Sequence, residues 1–235
     1  ALPPLLGPAT PDRDGLAKIK DGDDYDVTWS ASALWQVTED FRLGAAYLGE
    51  NTLDFSSSLK VSLPGAGSGT TLDNIGTNVK IKFPQTFVTS AGWQYSDKLT
   101  LSTRLAWEDW SVLESVPVST SGNGAAIPVN WNDVWSLALG MRYQVAPRWA
   151  YYTGISYDSD PASKKDRLAI LPADEQWRLA GGFTYAISDK RTIGFTATYA
   201  DLGEATLSRT SDVGSFSGKY DKNRILFLGV NYAWH

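Results

Sequence analysis

Bulky apolar residues alternate with small or polar residues along most of the chain. Successive side chains of a β-strand point to opposite faces, so a period of two predicts strands with one apolar and one small or polar face. Trp177, Leu179 and Phe183 share one register, for example, and Arg178 and Thr184 share the other. Nine segments follow this pattern: 28–37, 41–48, 87–95, 99–108, 135–144, 149–158, 177–187, 192–199 and 224–234.

The connections between these segments alternate in length. Short polar links occupy 38–40, 96–98, 146–148 and 188–190, and they carry the residue types of tight hairpin turns. Long links rich in Gly, Ser, Pro and charge occupy 64–78, 120–130, 159–174 and 209–223. This alternation predicts an all-β, antiparallel up-and-down barrel with turns at one rim and loops at the other. Bacterial outer-membrane barrels have this arrangement, with the turns in the periplasm.

Aromatic residues support a membrane barrel over a soluble β-sandwich. Several lie on the bulky register close to the short turns, as an interfacial girdle would: Trp93, Tyr95, Tyr143, Trp149, Tyr185, Tyr232 and Trp234. The opposite register is mostly Gly, Ala, Ser and Thr, whereas the wet face of a sandwich carries Lys and Glu. No stretch has the roughly 20 apolar residues that a membrane-spanning helix needs.

Composition excludes several classes of function. The chain has no Cys, a single His (His235) and a net charge of −5, so cysteine chemistry, Ser-His catalysis and a nucleic-acid footprint are all disfavoured. Glu108 and Asp109 are adjacent in a strand and therefore point to opposite faces. We expect no enzyme, no cofactor and no metal site, and no function for His235.

Four aspartates lie loosely around the link at 159–174: Asp158, Asp160, Asp166 and Asp174. Their oxygens are of the kind that Ca²⁺ prefers, but their spacing matches no known calcium loop. We therefore expect solvated carboxylates at this position.

Five segments resemble, in order, the C-terminal portion of the FadL-type outer-membrane transporters of long-chain fatty acids and other hydrophobic compounds. They are DGDDY at 21–25, WEDWS at 107–111, VWSLALGMRY at 134–143, LPADEQWRLAGG at 171–182 and LGVNYAW at 228–234. The resemblance implies a fourteen-strand barrel in the outer membrane of a Gram-negative bacterium. It also implies an N-terminal hatch in the lumen and a sideways exit for ligand into the membrane.

This layout makes residues 1–25 the remainder of an extracellular loop and residues 26–235 the C-terminal part of the barrel, with about nine strands. The expected partners are membrane lipids, a hydrophobic small molecule and the N-terminal portion of the same barrel.

Two groups of residues are candidates for ligand contact. The first is Arg104, Arg142 and Arg178, which share the inward register, as does Arg42, and could hold a carboxylate. The alternative is a solvated or mutually paired lining. The second group is Leu63, Leu72, Ile75 and Phe83, apolar residues around a long link that could form one lip of a capture groove. The alternative is that they cover one another.

The function implied is passive uptake of long-chain fatty acids or other hydrophobic molecules through the barrel. Two other classes remain open: a water-filled porin for polar solutes, and a structural or adhesion barrel whose lumen carries nothing.

Overall fold

A computed structural model of the protein describes residues 16–63, 70–120, 123–168, 174–211 and 214–234. Within these ranges the chain forms sixteen strands and one turn of 3-10 helix at Trp110–Val112. The strands are β1 (Leu16–Asp23), β2 (Ser30–Gln36), β3 (Phe41–Leu48), β4 (Asn51–Leu63), β5 (Thr70–Phe83), β6 (Thr86–Ser96), β7 (Leu99–Glu108), β8 (Ser115–Thr120), β9 (Asn123–Pro128), β10 (Val134–Ala146), β11 (Trp149–Asp158), β12 (Gln176–Ser188), β13 (Arg191–Asp201), β14 (Ala205–Ser211), β15 (Gly214–Tyr220) and β16 (Arg224–Trp234). No helix in the described part has the length and apolarity needed to cross a bilayer.

Nine strands form one antiparallel sheet in the order β2-β3-β6-β7-β10-β11-β12-β13-β16. These are the nine strands that the alternation predicts, and each neighbour in the sheet is the next member along the chain. Four match their expected bounds to the residue, and the others differ by one or two residues at an end. The predicted up-and-down wall is confirmed. In the described ranges the outer edges of β2 and β16 pair with no strand, so the sheet is not closed.

Among the residues that the structure describes, no second layer packs on the bulky register of this sheet. Trp135 and Leu139 on β10 remain 52% exposed, and Leu179 on β12 remains 59% exposed. Leaving so much apolar surface in water would cost about 25 cal/mol per Å². Neighbouring rings contact one another along the surface, as between Phe183 and Phe195 with centroids 6.0 Å apart. A sandwich would bury these side chains in its core, so this face suits acyl chains instead.

The opposite register forms a smooth wall because side chains lie across glycines on neighbouring strands. A Cβ at Gly92 would lie 3.0 Å from Nε of Arg42, and a Cβ at Gly140 would lie 2.7 Å from Oγ of Ser102. Larger residues at these positions would push the covering side chains into the lumen.

Seven further strands lie outside this sheet, in segments that the sequence interpretation did not assign as strands. Five of them, β5, β8, β9, β14 and β15, overlap the long links, β4 precedes the link at 64–78, and β1 lies within residues 1–25. A second, five-stranded sheet has the order β1-β4-β5-β8-β9, and β14 and β15 form a separate hairpin. The expectation of irregular links is wrong because Leu53 and Phe55 pair with Ile81 and Val79 as a period-two pattern of their own. The abundance of Gly, Ser and Thr around them obscured that pattern.

The start and end of the chain bear on the expected domain division. Strand β1 lies inside the segment assigned to an extracellular loop, and residues 1–15 and His235 lie outside the described residues. The boundary at residue 25 therefore stays a prediction.

Inward-facing glutamines form hydrogen bonds to the backbone of three of the four short turns. The side-chain amides of Gln36, Gln94 and Gln144 each donate to a carbonyl of their own turn, at 2.6, 3.0 and 2.7 Å. Their counterpart in the β12–β13 hairpin, by register, is Ala186. The backbone N–H groups of Gln94, Gln144 and Ala186 also donate to the preceding turn, which links the four hairpins into one rim.

We predict that Ala186→Gln stabilises the barrel by about 1 kcal/mol, the typical net value of one hydrogen bond, and that Gln144→Ala destabilises it by at least as much, because Gln144 also accepts from Arg142. Urea unfolding of the refolded barrel in lipid vesicles measures both changes. Ala180→Gln is the matched control, because position 180 shares the inward register but lies far from any turn carbonyl. Equal effects of the two glutamine substitutions would contradict the role assigned to the turn-rim glutamines.

Candidate functional site

Arg104, Arg142 and Arg178 all lie on the lumen face, as their register predicts, but at different places. Arg104 on β7 faces Ala138 on β10, and Arg178 on β12 faces Ser156 on β11, so both belong to one cross-strand row. Three strand spacings separate them, roughly 14 Å. Arg142 lies nearer the short-turn rim, opposite Tyr152. The structure therefore does not gather the three arginines into one receptor.

Two of these arginines are held by neighbours in the wall. Arg178 forms an ion pair with Asp158, and its other terminal nitrogen donates to Gln176 at 2.6 Å. Arg142 donates to Gln144 and to the hydroxyl of Tyr152 at 3.4 Å. A paired lining is the simplest role for both.

Arg104 differs from them. Across the described ranges no residue gives it a hydrogen bond or an ion pair, and its side chain is exposed to the lumen. A guanidinium has five N–H donors in a fork that fits a carboxylate. Among Arg104, Arg142 and Arg178, the described residues leave only the donors of Arg104 open to a ligand. Arg42, on the same register, also lines the lumen groove and has no partner in the described ranges.

Three cavities follow one another from the loop rim into the lumen. The polar chamber, about 430 Å³, is lined by Arg104, Glu108, Trp110, Trp131, Val134, Ser136, Asp158, Ser159, Pro161, Gln176 and Arg178. The apolar pocket, about 400 Å³, is lined by Thr28, Leu48, Gly49, Asn51, Leu53, Phe83, Pro84, Thr86, Glu108 and Trp110. The lumen groove, about 380 Å³, is lined by Leu34, Arg42, Gly44, Ser90, Ala91, Gly92, Ser102, Thr103, Arg104, Ala138, Leu139 and Gly140.

Shared residues connect these cavities. Glu108 and Trp110 line both the apolar pocket and the polar chamber, and Arg104 lines both the polar chamber and the lumen groove. The apolar pocket is thus adjacent to the polar chamber, and the polar chamber is adjacent to the lumen groove.

Two indoles form part of the polar chamber's wall. The rings of Trp110 and Trp131 meet edge to face, with centroids 5.1 Å apart. Trp110 donates through Nε1 to a carboxylate oxygen of Glu108 at 2.8 Å, which leaves its ring faces free for apolar contact.

A hydrogen-bond network around Asp133 fixes the chamber's loop-side edge. Asp133 accepts from Nε1 of Trp107 at 2.9 Å and from the backbone N–H of Ser111 at 3.2 Å. Partial burial opposes ionisation, but the hydrogen bonds from Ser111 and Trp107 hold the pKa of the Asp133 carboxyl below its ordinary value. The network therefore depends on a charged Asp133.

The four apolar residues around the link at 64–78 are divided by the structure. Phe83 ends β5 and lines the apolar pocket. Leu63 ends β4, and Leu72 and Ile75 lie in β5. Ile75 is eight residues before Phe83, roughly 26 Å along an extended strand. The side chains of Leu63, Leu72 and Ile75 lie outside the described residues, so a shared role for the four stays a prediction.

The aspartates around the link at 159–174 are not simply solvated, which corrects the sequence expectation. Asp160 and Asp174 both form ion pairs with Arg167, at 2.7 and 3.3 Å, and Asp158 pairs with Arg178. Arg167 itself is 1% exposed. Sequence reasoning missed it because nothing local distinguishes an arginine that a distant hairpin covers.

Within the described ranges no three acidic or histidine side chains converge as metal ligands. This holds around Arg167 as well, where the carboxylates already face a cation.

The sequence matches, over residues 4–234, the model of a family described as "Outer membrane protein transport protein (OMPP1/FadL/TodX)". It is 23% identical over 239 residues to a "Long-chain fatty acid transport protein" from Escherichia coli O6:H1, covering 96% of this chain and 53% of that protein. It is 24% identical over 200 residues to "Outer membrane protein P1" from Haemophilus influenzae, covering 84% of this chain and 41% of that protein. The chain spans about half the length of these relatives.

Solved structures share the fold at low sequence identity. A FadL homologue from Pseudomonas aeruginosa superposes with a TM-score of 0.75 at 20% identity, covering 87% of this chain and 51% of that one. The toluene transporter TbuX from Ralstonia pickettii gives a TM-score of 0.60 at 19% identity, covering 88% of this chain and 47% of that one.

We predict that low pH destabilises the hydrogen-bond network around Asp133 at the loop-side edge of the polar chamber. A carboxyl with a depressed folded-state pKa contributes stability above its unfolded pKa, near 3.9, and this stability is lost as the pH falls through the folded value. The pKa of Asp166 is lowered in the same way as that of Asp133: burial opposes ionisation, but hydrogen bonds from Ser163 and Asn130 favour the charged carboxylate. The protection factor of the Ser111 amide, which is its exchange rate relative to the intrinsic rate at each pH, should fall as the pH drops below about 3.9. In Asp133→Asn the protection factor should be low at every pH, and a pH-independent protection factor in the unmodified protein would contradict the role of the Asp133 carboxylate.

Proposed function

Because the chain belongs to the OMPP1/FadL/TodX family of outer membrane transport proteins, we propose that it carries hydrophobic molecules with an anionic head, such as long-chain fatty acids, passively across the outer membrane. The route is the series of three cavities. Ligand enters the apolar pocket, places its head in the polar chamber and passes Arg104 into the lumen groove.

The observation that carries this proposal is the position of Arg104. It lies where the polar chamber meets the lumen groove, and the described residues supply it with no partner. A charged donor facing a partly dry space has most to gain from a ligand carboxylate. Asp158 occupies Arg178 in the same chamber, so Arg178 shapes the chamber and Arg104 holds the head group.

The apolar pocket suits the chain of such a molecule. Leu53, Phe83 and the ring of Trp110 line it, and Glu108 lies at its border with the polar chamber. Moving an acyl chain from water onto this surface gains about 25 cal/mol per Å² of apolar area. Capture is thus downhill, and the proposed mechanism needs no energy source.

The strands that complete the barrel are proposed to come from the N-terminal portion of the same protein. The chain covers about half the length of its relatives, and the edges of β2 and β16 pair with no strand in the described part. An unpaired strand edge in hydrocarbon costs several kcal/mol for each unsatisfied backbone group. Sideways release of ligand into the membrane is proposed for that completed barrel.

We predict that Arg104→Gln in the completed barrel weakens binding of a fluorescent long-chain fatty acid at least about tenfold, because a hydrogen bond to a charged group contributes roughly 1.5–3 kcal/mol. Binding of the matching fatty alcohol should change little. Arg191→Gln is the control, since it removes the same charge on the outward register, where Arg191 faces Trp234.

Equal losses in Arg104→Gln and Arg191→Gln would contradict the role of Arg104. Uptake of labelled fatty acid by vesicles bearing the barrel tests transport itself. Uptake no faster than in empty vesicles would contradict transport, and a steady ion current through single barrels would favour a porin.

A further inference from the structure

The loops above the nine-stranded sheet contain a small buried core of their own, here called the cap. Its apolar members are almost fully buried: Val129, Ala162, Ala205 and Leu207. They come from the link between β7 and β10, the link between β11 and β12, and strand β14. Arg167, which lies in the link between β11 and β12, has 1% of its surface exposed and donates to the backbone of two of these segments, at Ala162 and Thr206.

Arg167 joins these segments through its guanidinium. Nη2 contacts Asp160 at 2.7 Å and Asp174 at 3.3 Å, and it also donates to the carbonyl of Ala162 at 2.9 Å. Nη1 donates to the carbonyl of Thr206 on β14 at 2.8 Å. One side chain thus holds both ends of the link at 159–175 and the hairpin that covers it.

The same link is tied to the segment that carries Trp131. Asn130 donates through its side chain to Asp166 at 3.0 Å, and the backbone N–H of Asn132 donates to the carbonyl of Pro161 at 2.7 Å. Trp131 lies between these two contacts in the sequence.

The cap covers the loop side of the polar chamber, and this covering surface is here called the roof. Ser159, Pro161 and Trp131 line the chamber from the cap side, and Gln176 lines it from the start of β12. Asp160 lies between Ser159 and Pro161, and Asp174 lies two residues before Gln176. Of the carboxylates that Arg167 binds, Asp160 is therefore flanked by chamber-lining residues on both sides, and Asp174 is one residue removed from Gln176.

Stability alone is a poor explanation for Arg167. Its Nε is buried without a hydrogen-bond partner among the residues described, and burying a charge with an unsatisfied donor is costly. Apolar residues of similar volume in place of the whole ionic group would fill the space without that cost, whereas replacing Arg167 alone leaves Asp160 and Asp174 without their cation. The arrangement favours a role in fixing geometry.

We propose that Arg167 is a positioning residue that holds the roof of the polar chamber in place and thereby sets how tightly the chamber closes over a ligand head group. It touches no ligand itself. The ligand part of this inference rests on the proposed function, whereas the position of the roof can be measured without ligand.

The test uses the completed barrel with 5-fluorotryptophan incorporated and the Trp131 resonance assigned by Trp131→Phe. Arg167→Met should shift or broaden that resonance and weaken binding of the fluorescent fatty acid about tenfold. Asp160→Asn keeps the contact between Arg167 and Asp174 and should give smaller changes of both kinds. If Arg167→Met does not fold, the Trp131 resonance and the fatty acid affinity of Asp160→Asn test the proposal.

Lys219→Met is the matched control. Lys219 also binds two carboxylates, Glu204 at 2.7 Å and Asp221 at 3.1 Å, but it is exposed and does not line the chamber. It should leave both readouts unchanged. An unmoved Trp131 resonance in Arg167→Met and Asp160→Asn, or an equal shift in Lys219→Met, would overturn the proposal. If the unmodified barrel binds no fatty acid, the proposed function fails, and the Trp131 resonance still decides the role of Arg167.

Discussion

A wall that stands in hydrocarbon must satisfy every backbone N–H and C=O within itself, because no water is present to accept or donate. A continuous antiparallel sheet meets this constraint, and it leaves the two side-chain registers facing different surroundings. Here one register presents Leu139, Phe183 and Phe195 outward, and the other presents glycines and arginines inward. The small inward residues leave space on the lumen side of the sheet, where the lumen groove lies.

The same constraint explains how much of the fold can be predicted from sequence. Within the membrane, a strand has to alternate over its full length, so nine alternating segments identify nine strands with nearly correct ends. Outside the membrane a strand is free to tolerate interruptions, and its backbone groups can bond to water. The hairpin of β4 and β5 carries Leu53 opposite Ile81 among serines and threonines, which makes the pattern weak enough to read as a loop.

The candidate site, like the fold, can be predicted from the sequence only in part. Register places Arg104, Arg142 and Arg178 on the lumen face from sequence alone. It does not reveal that Asp158 occupies Arg178 while Arg104 is left open, since that depends on which strands become neighbours and where loop residues return. Arg167 is the extreme case: its burial comes from β14, whose residues lie about forty positions away, as in the contact with Thr206. Such contacts between loops produce no periodic pattern in the sequence, so they cannot be predicted from it.

The division of registers along β10 tests the account most directly. A nitroxide placed in turn at each position from 135 to 145, in the completed barrel in a bilayer, reports its surroundings through collisions with dissolved oxygen and with a water-soluble nickel chelate. Odd-numbered positions should collide mainly with oxygen, which concentrates in lipid, and even-numbered positions should not. Shielding of the odd positions from both reagents, or the absence of alternation, would contradict it.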